Sequence, residues 1–127
     1  MRSRTRVSLA GSVVLGGLLF AGCGGDDGGS SSNNTTADVV VRGDDALHFD
    51  KASYTARTGS VTIQLIDDGG QPHTLLIEGD TAFKKLAVNS KGDKDSGSAD
   101  LQPGTYTIYC DVVGHRAAGM EAKLVVN

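Results

Sequence analysis

The heptapeptide Gly104-Thr105-Tyr106-Thr107-Ile108-Tyr109-Cys110 sets Tyr106, Ile108 and Cys110 on one side of the chain and Thr105, Thr107 and Tyr109 on the other. Side chains alternate across an extended strand, so a period of two reads as a half-buried β-strand. β-Branched and aromatic residues suit that surface, and Gln102-Pro103-Gly104 supplies the turn before it. The same period recurs at Val61, Ile63 and Leu65, alternating with Thr62 and Gln64. It recurs again at Ala122, Leu124 and Val126, alternating with Glu121, Lys123 and Val125. Val39–Val41, Leu47–Phe49, Ser53–Ala56 and Leu75–Glu78 are weaker strand candidates. Turn-formers stand between them at Arg42-Gly43-Asp44-Asp45, Asp67-Asp68-Gly69-Gly70 and Lys91-Gly92-Asp93. Thr81–Val88 fits either a short helix or an irregular strand. Short strands at intervals of about ten residues predict an all-β fold, a Greek-key β-sandwich. Residues 38–127 are enough for one such core and too few for two.

Upstream of that domain the chain changes character. Residues 1–22 run from a basic start, Met1–Arg6, through the apolar Val7–Phe20 to Ala21-Gly22, the pattern of a cleaved secretory signal. An uncleaved membrane anchor is the alternative, but Ser8, Ser12 and several glycines interrupt the apolar stretch, which falls short of the roughly 20 residues a spanning helix needs. Phe20-Ala21-Gly22-Cys23 resembles a bacterial lipoprotein signal, which implies lipidation of Cys23 and anchoring at the outer face of the membrane. Residues 23–37 hold no large apolar side chain and read as a flexible tether with a typical span of ~20 Å. Asn33 and Asn34 each begin an N-x-T sequon and are read as tether chemistry.

The remaining chemistry is concentrated in Cys110-Asp-Val-Val-Gly-His115-Arg-Ala-Ala-Gly-Met120, where a thiol, an imidazole and a thioether recur every five residues. Soft sulfur donors combined with imidazole select copper, and two His, one Cys and a weak axial Met form the blue-copper set. His73, in Pro72-His73-Thr74, supplies the second imidazole. Taken singly, a buried Cys is usually a small core hydrophobe and a Met a gap-filler. Beyond the initiator, however, Met120 is the sole Met, and Cys110 is the sole Cys of the folded part. A Cys23–Cys110 disulfide is the competing use, and it would tie a floppy leader to the core. The third histidine, His48, alternates with Leu47 and Phe49 and is expected to face solvent.

Gly104–Cys110, His115, Ala118-Gly119-Met120 and the strand Ala122–Asn127 together resemble the end of plastocyanin and its cupredoxin relatives, and Pro72-His73-Thr74 resembles the plastocyanin Pro-His-Asn. Four residues separate Cys110 from His115 where plastocyanin has two; auracyanin-like and rusticyanin-like cupredoxins share the longer spacing. The resemblance implies one copper ion held by His73, Cys110, His115 and Met120, shuttling single electrons. It implies that His115 lies at a dry docking face of Val112, Val113, Ala117 and Ala118, with Arg116 a charge able to steer an acidic partner. Tyr109 would mark a second, side exit. A copper carrier or buffer of the cell envelope is the alternative function.

Other classes are disfavoured. Without residues 1–22 the chain carries nine basic against fifteen acidic side chains, so no basic stripe is left for nucleic acid. Gly114 stands where a binuclear copper site needs a second Cys, and only His48 is spare for further coppers. No G-x-S-x-G, Walker loop or dinucleotide fingerprint occurs. A monomeric, exported redox carrier, not an enzyme, is expected, with redox proteins as partners and a membrane contact only through Cys23.

Overall fold

The computed structural model describes residues 36–127; the expected signal segment, Cys23 and nearly all of the tether lie outside the described residues. Eight strands form: β1 (Val39–Gly43), β2 (Ser53–Ala56), β3 (Gly59–Asp67), β4 (His73–Ile77), β5 (Leu86–Val88), β6 (Lys94–Leu101), β7 (Gly104–Tyr109) and β8 (Glu121–Val126). No helix occurs among the described residues. The strands make a three-stranded sheet, β1-β3-β6, and a five-stranded sheet, β2-β8-β7-β4-β5. This is the expected all-β, two-sheet class. β1 with β3 and β2 with β8 run parallel, and the other ladders are antiparallel.

Alternation places the core. Val39 and Val41 of β1, Val61, Ile63 and Leu65 of β3, and Leu75 and Ile77 of β4 are buried, while their neighbours along each strand are more exposed. Ile108, Ala122, Leu124 and Val126 complete the opposite wall. Each fully buried aliphatic contributes about 1.5–3 kcal/mol relative to exposure, which is the source of the sandwich's stability.

Ser53–Ala56 is the strand the sequence predicts; β1 extends its expected strand to Gly43, and β4 begins two residues before the expected Leu75 and ends at Ile77, leaving out Glu78. Two expectations need correction, and one strand was not foreseen. Leu47–Phe49 is not a strand: Leu47 takes a positive φ of 63°, and only an isolated bridge joins Phe49 to Gly43. The cause is Asp44, whose Oδ1 accepts from the N–H of Ala46 at 3.0 Å and of His48 at 3.1 Å, closing a turn. Arg42 and Gly43, read as turn, end β1 instead. Lastly, β6 was not visible in the sequence, because its inward side carries Gly97 and Ala99 before Leu101. A Cβ on Gly97 would lie 3.1 Å from Leu86 Cδ2, so the small residues leave room for Leu86 and Phe83. Within Thr81–Val88 no helix forms; bends lead into β5.

Truncating Ile63, which is wholly buried in the middle of β3, should therefore be costly. Ile63→Ala is expected to lower unfolding free energy by about 3 kcal/mol, and Val113→Ala, at an exposed position, by less than about 0.5 kcal/mol, both measured by urea denaturation.

Candidate metal centre

Strand pairing and side-chain parity bring distant residues to one end of the sandwich. β4 and β7 are antiparallel with Leu76 opposite Tyr109, so the start of β4 lies beside the end of β7. β7 and β8 are antiparallel with Tyr109 opposite Glu121, and one step further the Cys110 N–H donates to the Met120 carbonyl at 3.1 Å. Parity does the rest. His73 shares the inward face of Leu75 and Ile77, Cys110 that of Ile108, and Met120 that of Ala122 and Leu124. All three side chains continue the core pattern into its last layer and are fully buried.

His115 comes from the loop between β7 and β8. That loop is wound tightly: His115 N–H donates to Val112 O at 3.0 Å, and Met120 N–H to His115 O at 3.0 Å. Gly114 and Gly119 take φ values of 84° and 115°, a region a side chain disfavours. The winding turns His115 back inward, so that it is only 7% exposed.

The donor atoms of His73, Cys110 and His115 all lie within 4.8 Å of one another. Cys110 Sγ is 3.6 Å from His115 Nδ1, and the two imidazoles stand 5.3 Å apart, tilted by 59°. Metal–ligand bonds of about 2.0–2.3 Å put donors around one ion at such spacings. Both ring nitrogens of His73 are buried without a hydrogen bond of good geometry, the Asp44 main chain being only a weak partner, and a polar group left so is costly unless something else is bound there. Burial lowers the His73 pKa, against the pull of the Asp67 charge. The ring is therefore neutral, the form that presents a lone pair to a metal. The donor set fits a copper ion.

Met120 comes close to His73 at Gly43. A Cβ on Gly43 would lie 2.9 Å from both Met120 Cε and His73 Cδ2. Gly43 ends β1 in register with Asp67 at the end of β3, so the smaller sheet closes over the ligands with its least bulky residue.

The surroundings of Cys110 are polar and organised. Thr74 N–H donates to Sγ at 3.3 Å. Thr74 Oγ1 donates to Asp111 Oδ1 at 2.6 Å and accepts from Asp111 N–H at 2.9 Å. Lys85 Nζ pairs with Asp111 Oδ2 at 2.9 Å. The Thr74 bond first, and then Lys85, holds the Asp111 carboxyl below its ordinary pKa.

Of the expected docking residues, Val113 is 97% exposed, Ala117 and Ala118 are exposed, and Val112 is half-buried. His48 is exposed, as expected, with Nε2 3.3 Å from where a Gly119 Cβ would stand. Arg116 requires correction. It is not a free charge, because its guanidinium pairs with Glu78 at 2.8 Å and Glu121 at 2.9 Å and lies 4.2 Å over the Tyr109 ring. Tyr109, expected to point outward, is half-buried beneath it. Sequence reasoning also passed over Gly43, Asp67, Lys85 and Asp111. Only Asp111, adjacent to Cys110, carried a positional signal; the others meet the site through non-local pairing.

Gly43 yields a direct test. A Gly→Ala change in a strand usually helps folding by reducing the freedom of the unfolded chain. Here Gly43→Ala is expected to destabilise the metal-free protein by about 1–3 kcal/mol through overpacking against Met120 and His73, as read from the urea midpoint.

Comparison with known proteins agrees with this geometry. Residues 35–127 match the family model described as copper binding proteins, plastocyanin/azurin family. A plastocyanin from Synechococcus sp. (strain JA-2-3B'a(2-13)) is 34% identical over 101 residues, covering 70% of this chain and 72% of that one. Among solved structures, auracyanin from Roseiflexus castenholzii superposes with a TM-score of 0.62 at 19% identity, over 70% of this chain and 95% of its own. The azurin Az-iso2 of Methylomonas sp. strain J gives 0.61 at 16%, over 72% and 98%. These two likenesses establish the cupredoxin fold, and the family model and the plastocyanin relative establish kinship. The chain belongs to the plastocyanin/azurin family of copper-binding proteins.

Proposed function

We propose that His73, Cys110, His115 and Met120 hold the copper ion and that the protein passes single electrons between redox proteins, with no substrate chemistry of its own. The observation that carries this reading is the buried trio of His73, Cys110 and His115 with mutually close donor atoms. Copper, when bound, supplies a one-electron couple between its +1 and +2 states. Cys110 contributes a thiolate, His73 and His115 neutral imidazoles, and Met120 a thioether, the soft and borderline donors that select this metal.

The chain's remaining task is to hold these donors still. Three of them sit on or beside paired strands, and the fourth on a loop tied by its own hydrogen bonds. A frame of this kind changes little when the charge at its centre changes, which keeps the barrier to electron exchange low. The balance of each transfer is simple: the donor protein loses one electron, the acceptor gains one, and no bond or proton moves. The exposed Val113, Ala117 and Ala118, with Val112, offer the dry docking face beside His115. Tyr109 is the poorer exit, because the Arg116 guanidinium covers its ring. A copper carrier would use the same donors, but the burial of His73, Cys110 and Met120 opposes ready release.

The cellular setting follows from the leader: residues 1–22 an export signal, Cys23 the lipidated residue, residues 23–37 a tether and residues 38–127 a monomeric domain at the outer face of a bacterial membrane. No helix among the described residues is long and apolar enough to cross a membrane; the lipid on Cys23 is the proposed anchor.

Adding Cu(II) to the purified protein is expected to give intense visible absorption that a reductant bleaches and an oxidant restores. Cys110→Ser should abolish that band while the β-sheet circular dichroism is unchanged; a persistent band refutes the ligand assignment. Val113→Glu should slow electron self-exchange by at least about tenfold, ~1.4 kcal/mol of barrier, whereas Tyr109→Leu should leave it nearly unchanged. NMR line broadening in mixtures of oxidised and reduced protein measures both.

A further inference from the structure

Thr74 has one hydroxyl proton, and two acceptors compete for it. Its Oγ1 lies 3.5 Å from Cys110 Sγ and 2.6 Å from Asp111 Oδ1. A hydroxyl donates a single hydrogen bond. The shorter contact has the length of a charge-assisted O–H···O⁻ bond, so the proton goes to Asp111. The lone pairs of the same oxygen receive the Asp111 N–H at 2.9 Å, which fixes the hydroxyl's position between the two. Lys85 holds the other carboxylate oxygen at 2.9 Å. Apart from His115 Nδ1 at 3.6 Å, which the copper reading makes a metal ligand, Cys110 Sγ is left among the described residues with one well-placed donor, the Thr74 main-chain N–H at 3.3 Å.

We propose that Asp111 is a positioning residue that tunes Cys110 by keeping the Thr74 hydroxyl away from its sulfur, with Lys85 steadying the carboxylate. The proposal rests on the reading of Cys110 as a copper thiolate. Hydrogen bonding around the cysteine sulfur is one of the levers on the reduction potential of such a site. Sulfur carries more negative charge when the site is reduced, so each added donor stabilises the reduced form more than the oxidised one. A second donor also lowers the energy of the sulfur electrons, which moves their charge-transfer absorption to shorter wavelength. By withholding the hydroxyl, Asp111 holds the potential below the value that Thr74 would otherwise set.

Removing Asp111 also removes a negative charge, and that alone raises the potential. A double-mutant cycle separates the two effects. Thr74→Val keeps the side-chain shape and has no proton to give. Asp111→Ala is expected to raise the potential, measured by voltammetry, and to shift the visible band to shorter wavelength. In the Thr74→Val background it should raise the potential by a smaller amount and leave the band in place. Thr74→Ser, which retains a hydroxyl, should restore both full responses to Asp111→Ala. Asp111 is partly exposed on the loop side, so these variants are expected to fold, and their circular dichroism checks that. Equal potential shifts in the Thr74 and Thr74→Val backgrounds would overturn the proposal while the copper reading stands. Absence of the intense band in the unmodified protein would overturn the copper reading and this proposal with it.

Discussion

The site depends on the antiparallel register between β7 and its two neighbours. That register sets Cys110 against Met120 on one side and brings the start of β4, with His73 and Thr74, alongside on the other. A slip of one residue would turn every side chain on the strand to the opposite face, sending Cys110 out to solvent and Tyr109 inward. The core prevents such a slip, because Ile108, Leu124 and Ile77 would lose their burial together. The hydrophobic packing that stabilises the sandwich is thus also what positions the ligands. Polar donors occupy the last layer of an apolar core, and the frame beneath supplies the free energy needed to keep them there.

Around the ligand loop, charge is arranged for rigidity. Arg116 follows His115 directly and reaches Glu78, at the turn after β4, and Glu121, at the start of β8. Exposed pairs of this kind contribute little stability one by one. Here, however, two pairs and the Tyr109 ring converge on a single guanidinium, which restrains the residue next to a ligand. Lys85 and Asp111 act similarly next to Cys110. The exposed Val113, Ala117 and Ala118 are, by contrast, apolar, so the polar restraint lies beside the proposed docking face and not within it.

Much of this was legible in the sequence, for a physical reason: the half-buried strands carry a period of two, and the ligands extend it. Cys110 continues Tyr106 and Ile108, and Met120 precedes Ala122, Leu124 and Val126 in phase. The failures arose where the period is weak or misleading. β6 faces inward with Gly97 and Ala99, because Leu86 and Phe83 fill the space before it, so its amphipathic pattern is faint. Leu47-His48-Phe49 shows a strand's alternation, yet one carboxylate, that of Asp44, captures two local N–H groups and bends the chain. Gly43 reads as a turn-former by composition, whereas its role is steric and depends on two side chains 30 and 77 positions away. Local pattern carries no information on such encounters. The pairing of Arg116 was invisible for the same reason.

The parallel pairing of β2 with β8 bears on the order of assembly. β2 lies near the beginning of the domain, and its ladder partner is the last strand of the sandwich. β8 also sits inside the larger sheet, between β2 and β7. During synthesis, then, β2 waits at an unfilled edge while almost the entire domain is made, and the sheet cannot close until the C-terminal residues emerge. Cys110, His115 and Met120 all arrive in that same late stretch. A nascent chain of this design stays open and threadable until it is nearly complete, and it acquires a metal-binding end only in the step that closes its fold.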